Sequence, residues 1–128
     1  MTQAERDAED ARAAQAVIDA LPKYLAQYRY QIETGGITYN GMTIPTDRDS
    51  RNNMMGAYIK AKDNPNYTVD WKLPSGFVPL TASEIIAIAD AVEAHVKDCF
   101  TAEAVVLANI DNYTTIAEVK QAFDNAVN

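Results

Sequence analysis

Apolar side chains recur along the first segment at Ala4, Ala11, Ala14, Ile18, Leu21, Leu25, Tyr28 and Ile32. The intervals of three, four and seven place them on one seam of a helix, a heptad interrupted only by Asp7. From about Thr2 to about Glu33 the chain has no glycine and many strong helix formers, so one long helix is expected. Pro22 removes a backbone donor and is expected either to bend that helix or to end a first one near Leu21. A helix of about 30 residues is some 45 Å long, more than so small a domain can easily cover. The small residues lie first in the seam, where they would let another helix approach closely, and the large ones follow. The N-terminal half of the helix is therefore expected either to pair with another chain or to fray into solvent.

After Gly35 the period changes. Ile37-Thr38-Tyr39 and Met42-Thr43-Ile44 flank Asn40-Gly41, a strong hairpin signal because both turn residues must tolerate positive φ. Thr46, Asp47 and Ser50 offer caps for a second helix running to about Lys62, with Met54, Met55, Tyr58 and Ile59 as its apolar stripe. Gly56, mid-helix, is explained most simply by close approach of another element. Tyr67 to Leu73 alternates as a strand, Pro74-Ser75-Gly76 turns the chain, and Phe77 to Leu80 returns it. The two hairpins are expected to form one small antiparallel sheet. Thr81 and Glu84 frame a capping box that opens a long helix carrying Ile85, Ile86, Ala89, Val92, Val96, Cys99, Phe100 and Leu107. A polar break at Asn109–Asn112 precedes a short last helix capped by Thr115 and bearing Ile116, Val119 and Phe123. The expected fold class is α+β, mainly α: a long N-terminal helix, two β-hairpins, a long central helix and a short C-terminal helix.

The chain has 128 residues, which suits one domain, and a net charge of −7. That charge is uneven. Residues 81–128 carry eight acidic side chains and only two basic ones, Lys97 and Lys120, whereas residues 34–80 are close to neutral. Such a surface repels nucleic acid, and no apolar run is long enough to predict a membrane span. The single cysteine, Cys99, excludes an internal disulfide and a thiolate zinc site.

Candidate chemistry is sparse. His95, the only histidine, stands four residues before Cys99, close enough for a Cys–His pair. Both belong to a core-facing stripe, so a structural histidine and an inert buried thiol are expected instead. Asp47 and Asp49 flank Arg48 at a helix start, where capping is a better reading than a metal site. Trp71, in Asp70-Trp71-Lys72, is expected to pack beside the strands rather than to anchor a ligand. Tyr24, Tyr28 and Tyr30 span more than one helix face, so at least one should be exposed. No EF-hand, P-loop, GxGxxG or HExxH pattern occurs, and no cofactor, metal or small-molecule substrate is expected.

One ordered set of motifs goes further. Gly35-Gly36-Ile37, Asn40-Gly41, Thr46-Asp47 with Ser50, Gly56-Ala57, Asp70-Trp71, Leu80 and Ala94-His95-Val96 together resemble a domain of unknown function found in tailed-bacteriophage tail and tail-fibre-associated proteins. The resemblance covers about residues 28–110. It implies a small helical domain with hairpins, without assigned catalytic residues, of the kind found at the end of larger tail proteins. Members often carry a further module before the domain, whereas here the Ala-rich helix comes first. The resulting division is 1–27 as a helical extension or oligomerisation segment and 28–128 as a tail-associated α+β domain. The expected function is a non-enzymatic structural or adaptor role in a phage tail tip, baseplate or fibre. Other tail proteins and copies of this chain, a trimer above all, are the expected partners, and the candidate interface is Ala4, Ala11, Ala14, Ile18, Leu21, Leu25 and Tyr28. The location implied is the virion tail, with the host cytoplasm during assembly. Two alternatives stand beside it: a small acidic inhibitor of a host defence or DNA-binding protein, and a tail-fibre assembly chaperone.

Overall fold

Four helices and two β-hairpins make up the chain in the computed structural model, which describes residues 1–127. They follow the order α1 (Gln3–Glu33), β1 (Ile37–Tyr39), β2 (Met42–Ile44), α2 (Arg48–Asp63), β3 (Thr68–Leu73), β4 (Gly76–Thr81), α3 (Ala82–Ala108) and α4 (Ile116–Val127). A single 3-10 turn, Ile110–Asn112, separates the last two. This is the expected α+β layout, mainly α. The residues group into two compact units, one of Met1–Tyr30 with the chain from Cys99 onward, the other of Gln31–Asp98. Both divisions fall inside helices, α1 and α3.

In the first unit the buried apolar side chains are Leu21 and Leu25 of α1, Cys99, Ala102 and Val106 of α3, and Val119 and Phe123 of α4. Tyr28 meets the Phe123 ring edge-on at a centroid distance of 5.4 Å and donates its hydroxyl to Asp124 at 2.8 Å. Arg29 reaches Glu103 at 2.7 Å and lies over the Phe100 ring. Pro22 does not end the helix, because α1 continues through it without a break.

The second unit is built on the hairpins and α2. Asn40 and Gly41 both have positive φ (47° and 78°), the geometry of a type I′ turn, and fix the pairing of Ile37 with Ile44. The core gathers Ile44, Met54, Ala57, Leu73, Leu80, Ile85, Ile88 and Val92, with Trp71 partly buried against it. The hairpins form two separate two-stranded sheets rather than the single sheet expected. The chain leaves β2 at Pro45, which has no amide hydrogen. At the buried Thr46 it is tied back to the end of α1: the hydroxyl donates to the Glu33 carbonyl at 2.7 Å and accepts from the Gly36 N–H at 2.9 Å. That anchorage turns the chain into α2 instead of along β3.

The two helical stripes are borne out at Met54, Ile85, Val92 and Cys99, all buried, and differ from expectation at their edges. In α2, Met54, Ala57 and Ala61 face the core, while Met55 and Ile59 are 57% and 61% exposed. In α3 the buried set is Ala82, Ile85, Ile88, Val92, Cys99, Ala102 and Val106, and Phe100 and Leu107 are exposed. Both helices bury alanines, Ala57 and Ala61 in α2 and Ala82 and Ala102 in α3, beside larger core residues such as Met54, Ile85 and Ile88. Gly56 is exposed, and a Cβ there would meet nothing within 4 Å, so no close approach explains it.

The helix starts are locally encoded. Thr81 and Glu84 make the expected reciprocal box, with Thr81 N–H donating to the Glu84 carboxylate at 3.0 Å and Glu84 N–H to the Thr81 hydroxyl at 3.3 Å. Thr115 and Glu118 repeat it before α4, and Thr2 and Glu5 before α1. Asp47 caps α2 by accepting from Ser50 N–H at 3.1 Å. These bonds favour the ionised carboxylates. Hydrogen bonds from the Ser50 side chain and then its backbone hold Asp47 below its ordinary pKa, and the backbone N–H of Thr81 and Thr114 do most of the same for Glu84 and Glu118.

Candidate functional site

The candidate interface on α1 divides into two parts of different character. From Gln3 to Ala16 every residue is exposed, although the segment is helical throughout. Ala4, Ala11 and Ala14 thus stand on an uncovered helical arm. Ile18 and Tyr28 are half-buried, and Leu21 and Leu25 are wholly buried at 0% exposure. These two leucines cannot meet another chain without breaking the packing of their own unit, which removes them from the accessible seam. The heptad is continuous in sequence, but from Leu21 onward it serves this chain's own core. Periodicity alone does not distinguish an internal seam from an intermolecular one.

The remaining singled-out residues have packing or capping environments. His95 is partly buried, and its Nε2 lies 2.9 Å from the Ile32 carbonyl. Cys99 is buried on the next turn. Asp47 is committed to its cap. Tyr24 and Tyr30 are exposed, as the spread of tyrosines around the helix implied. Among the described residues no group of three or more His, Cys, Asp or Glu side chains gathers in a metal-binding arrangement. No helix among them is long and apolar enough to cross a membrane.

Sequence reasoning did not reach three further features. Glu33 is wholly buried and paired with Arg51 at 2.8 Å, a bond between the end of α1 and the first turn of α2. Lys120 of α4 lies over the Tyr28 ring. A groove of about 320 Å³ also runs between β3 and the Ile44–Pro45 end of β2, with Asn53 and Met54 of α2 on its wall. The groove exists because the hairpins stay apart, and the expectation of a single sheet hid it.

This architecture defines a mainly helical α+β domain with two independent hairpins. Residues 13–127 match the family described as Domain of unknown function (DUF4376), and the chain belongs to that family. The match begins at Ala13, inside the 1–27 segment, and so takes in Ala14, Ile18, Leu21 and Leu25. No curated protein and no solved structure matches the chain.

Proposed function

We propose that this chain is a non-enzymatic structural or adaptor protein of a phage tail, acting by protein–protein assembly through the exposed arm of α1. The observation that carries the assembly reading is the arm: Gln3–Ala16 forms a helix with every residue exposed. Helices this short are marginal in water, and most helical stability in proteins comes from packing an apolar face. A second helix lying along Ala4, Ala11 and Ala14 would supply that packing and could approach closely over the alanine methyls. The positions that flank the seam in this stretch are Gln3, Ala8, Asp10 and Gln15, of which only Asp10 is charged. Copies of this chain, as a trimer, and other tail proteins are the partners. The tail assignment rests on the motif order from Gly35 to Val96, and it implies a place in the virion tail after assembly in the host cytoplasm.

The acidic C-terminal third gives less support to the inhibitor alternative. Four of its eight carboxylates are engaged inside the chain: Glu84 and Glu118 in caps, Glu103 with Arg29, and Asp124 with Tyr28.

Mass spectrometry of purified particles together with light scattering of the free chain tests the proposal. The expected result is the chain in particles, and a trimer at micromolar concentration that dissociates when residues 1–16 are deleted while the circular dichroism of the remainder persists. Presence in lysates and absence from particles would replace it with the chaperone reading. A monomer that is absent from particles and competes with DNA for a host protein in a salt-dependent way would replace it with the inhibitor.

A further inference from the structure

The hairpin β3–β4 has two edges, and they differ. Register pairs Thr68 with Thr81, Asp70 with Pro79 and Lys72 with Phe77. Thr81 gives its N–H to the Glu84 side chain, and Pro79 has none to give. These pairs are therefore the non-hydrogen-bonded ones, and the ladder runs through Val69–Leu80, Trp71–Val78 and Leu73–Gly76. By the same alternation, the N–H and C=O groups of Thr68, Asp70 and Lys72 point away from β4. Among the described residues β3 has no other sheet neighbour, and no backbone hydrogen bond from elsewhere in the chain reaches those three residues. The free edge of β4 is interrupted at Pro79, where a donor is missing, so it is a poor template for another strand.

We propose that the open edge of β3, with the groove beside it, takes up an extended segment of a partner polypeptide as a third strand. This surface is separate from the α1 arm and does not rest on the tail assignment. Main-chain bonds to Thr68, Asp70 and Lys72 supply the attachment, and alternate side chains supply the selection. Positions opposite Val69 and Trp71 fall on the groove side, over Ile44 and Met54, and call for apolar residues. Positions opposite Asp70 and Lys72 fall on the exposed face, and cross-strand charge pairing calls for a base and an acid there. The occupant is thus a segment that alternates apolar residues with residues of opposite charge.

The probe is the acetylated and amidated hexapeptide Val-Glu-Val-Lys-Val-Thr, which sets its acid opposite Lys72 and its base opposite Asp70 in an antiparallel pairing. Trp71 is the only tryptophan and lines the groove, so its emission reports binding directly. Titration of the full chain is expected to shift that emission saturably and to slow amide exchange at Thr68, Asp70 and Lys72 about tenfold or more. Methylating the peptide nitrogens of its Glu and Lys removes two main-chain donors and is expected to weaken binding about tenfold or more. Asp70→Pro is expected to do the same from the protein's side, since that amide lies outside the β3–β4 ladder. If the variant does not fold, the methylated peptide on the unaltered chain decides alone. The proposal is overturned by no saturable change at millimolar peptide, or by binding indifferent to methylation. Protection of the three amides that grows with protein concentration alone would also overturn it, by assigning the edge to a second copy.

Discussion

Replacing Thr46 by valine changes one buried hydroxyl to a methyl of nearly the same shape, and so isolates the tie between the end of α1 and the entry to α2. The hydroxyl makes two bonds in a position with no exposure, donating to the Glu33 carbonyl and accepting from the Gly36 N–H. A hydrogen bond contributes about 1 kcal/mol net, but a buried group left without its partner costs about 1–3 kcal/mol. With two backbone groups stranded and little change in volume, the loss comes to about 2–4 kcal/mol. For a chain of this length 1 kcal/mol corresponds to about 4 °C of melting temperature, so Tm should fall by about 8–15 °C. Thr43→Val on the exposed face of β2 is the control, and it should stay within about 0.5 kcal/mol of the parent. Thermal and urea unfolding followed by circular dichroism read both variants. A shift below about 2 °C for Thr46→Val would mean that the two backbone groups find other partners, and the reasoning from stranded polar groups would fail.

Three further expectations follow from packing and caps. Gly56→Ala should stabilise the chain by about 0.5–1 kcal/mol, because a Cβ there meets nothing within 4 Å and alanine restricts the unfolded chain; urea midpoints at unchanged slope check it. Phe123→Ala should cost about 3–5 kcal/mol, since the ring is fully buried, and near-ultraviolet dichroism should report the loosening of Tyr28 beside it. Asp47, Glu84 and Glu118 have pKa values held below the ordinary carboxylate range, so their stabilisation is complete above about pH 4 and is lost as pH falls through the lowered values. Carboxyl-detected NMR titration should show these three ionising below the ordinary carboxylate range, and titration at ordinary values would refute the assignment.

Features written in short stretches of chain are legible: the Asn-Gly turn, the Thr81–Glu84 box, the cap at Thr115, and the single run of helix from Gln3 to Glu33. Each is a bond or a φ preference spanning four residues or fewer, or a period repeated many times. The errors share another cause. Periodicity puts Met55, Ile59, Phe100 and Leu107 on the apolar stripes, yet they are exposed while Ala57, Ala61 and Ala102 are buried, because the space available to a helix depends on what it packs against. The spacing of Leu21 and Leu25 fits an intermolecular seam as well as an internal one, and only the burial of both in their own unit distinguishes the two. The buried Glu33–Arg51 pair is 18 residues apart in sequence and left no local pattern at all. The groove beside β3 was invisible for a related reason: it is defined by a pairing that does not form.

Pro22 has a consequence for how far disturbance of the arm can spread. It lacks the N–H that would bond the Ile18 carbonyl, so the helical ladder of α1 is thinnest between the uncovered stretch and the buried Leu25. If the turns before it melt, proline becomes a residue of the first turn of what remains, a position in which its missing N–H costs nothing and its fixed φ is already helical. Fraying should therefore stop there. The arm can come and go without drawing Leu25, Tyr28 or the α4 packing after it, and exchange protection along α1 should rise in a step just past residue 25, the first turn of the remaining helix, rather than in a gradient.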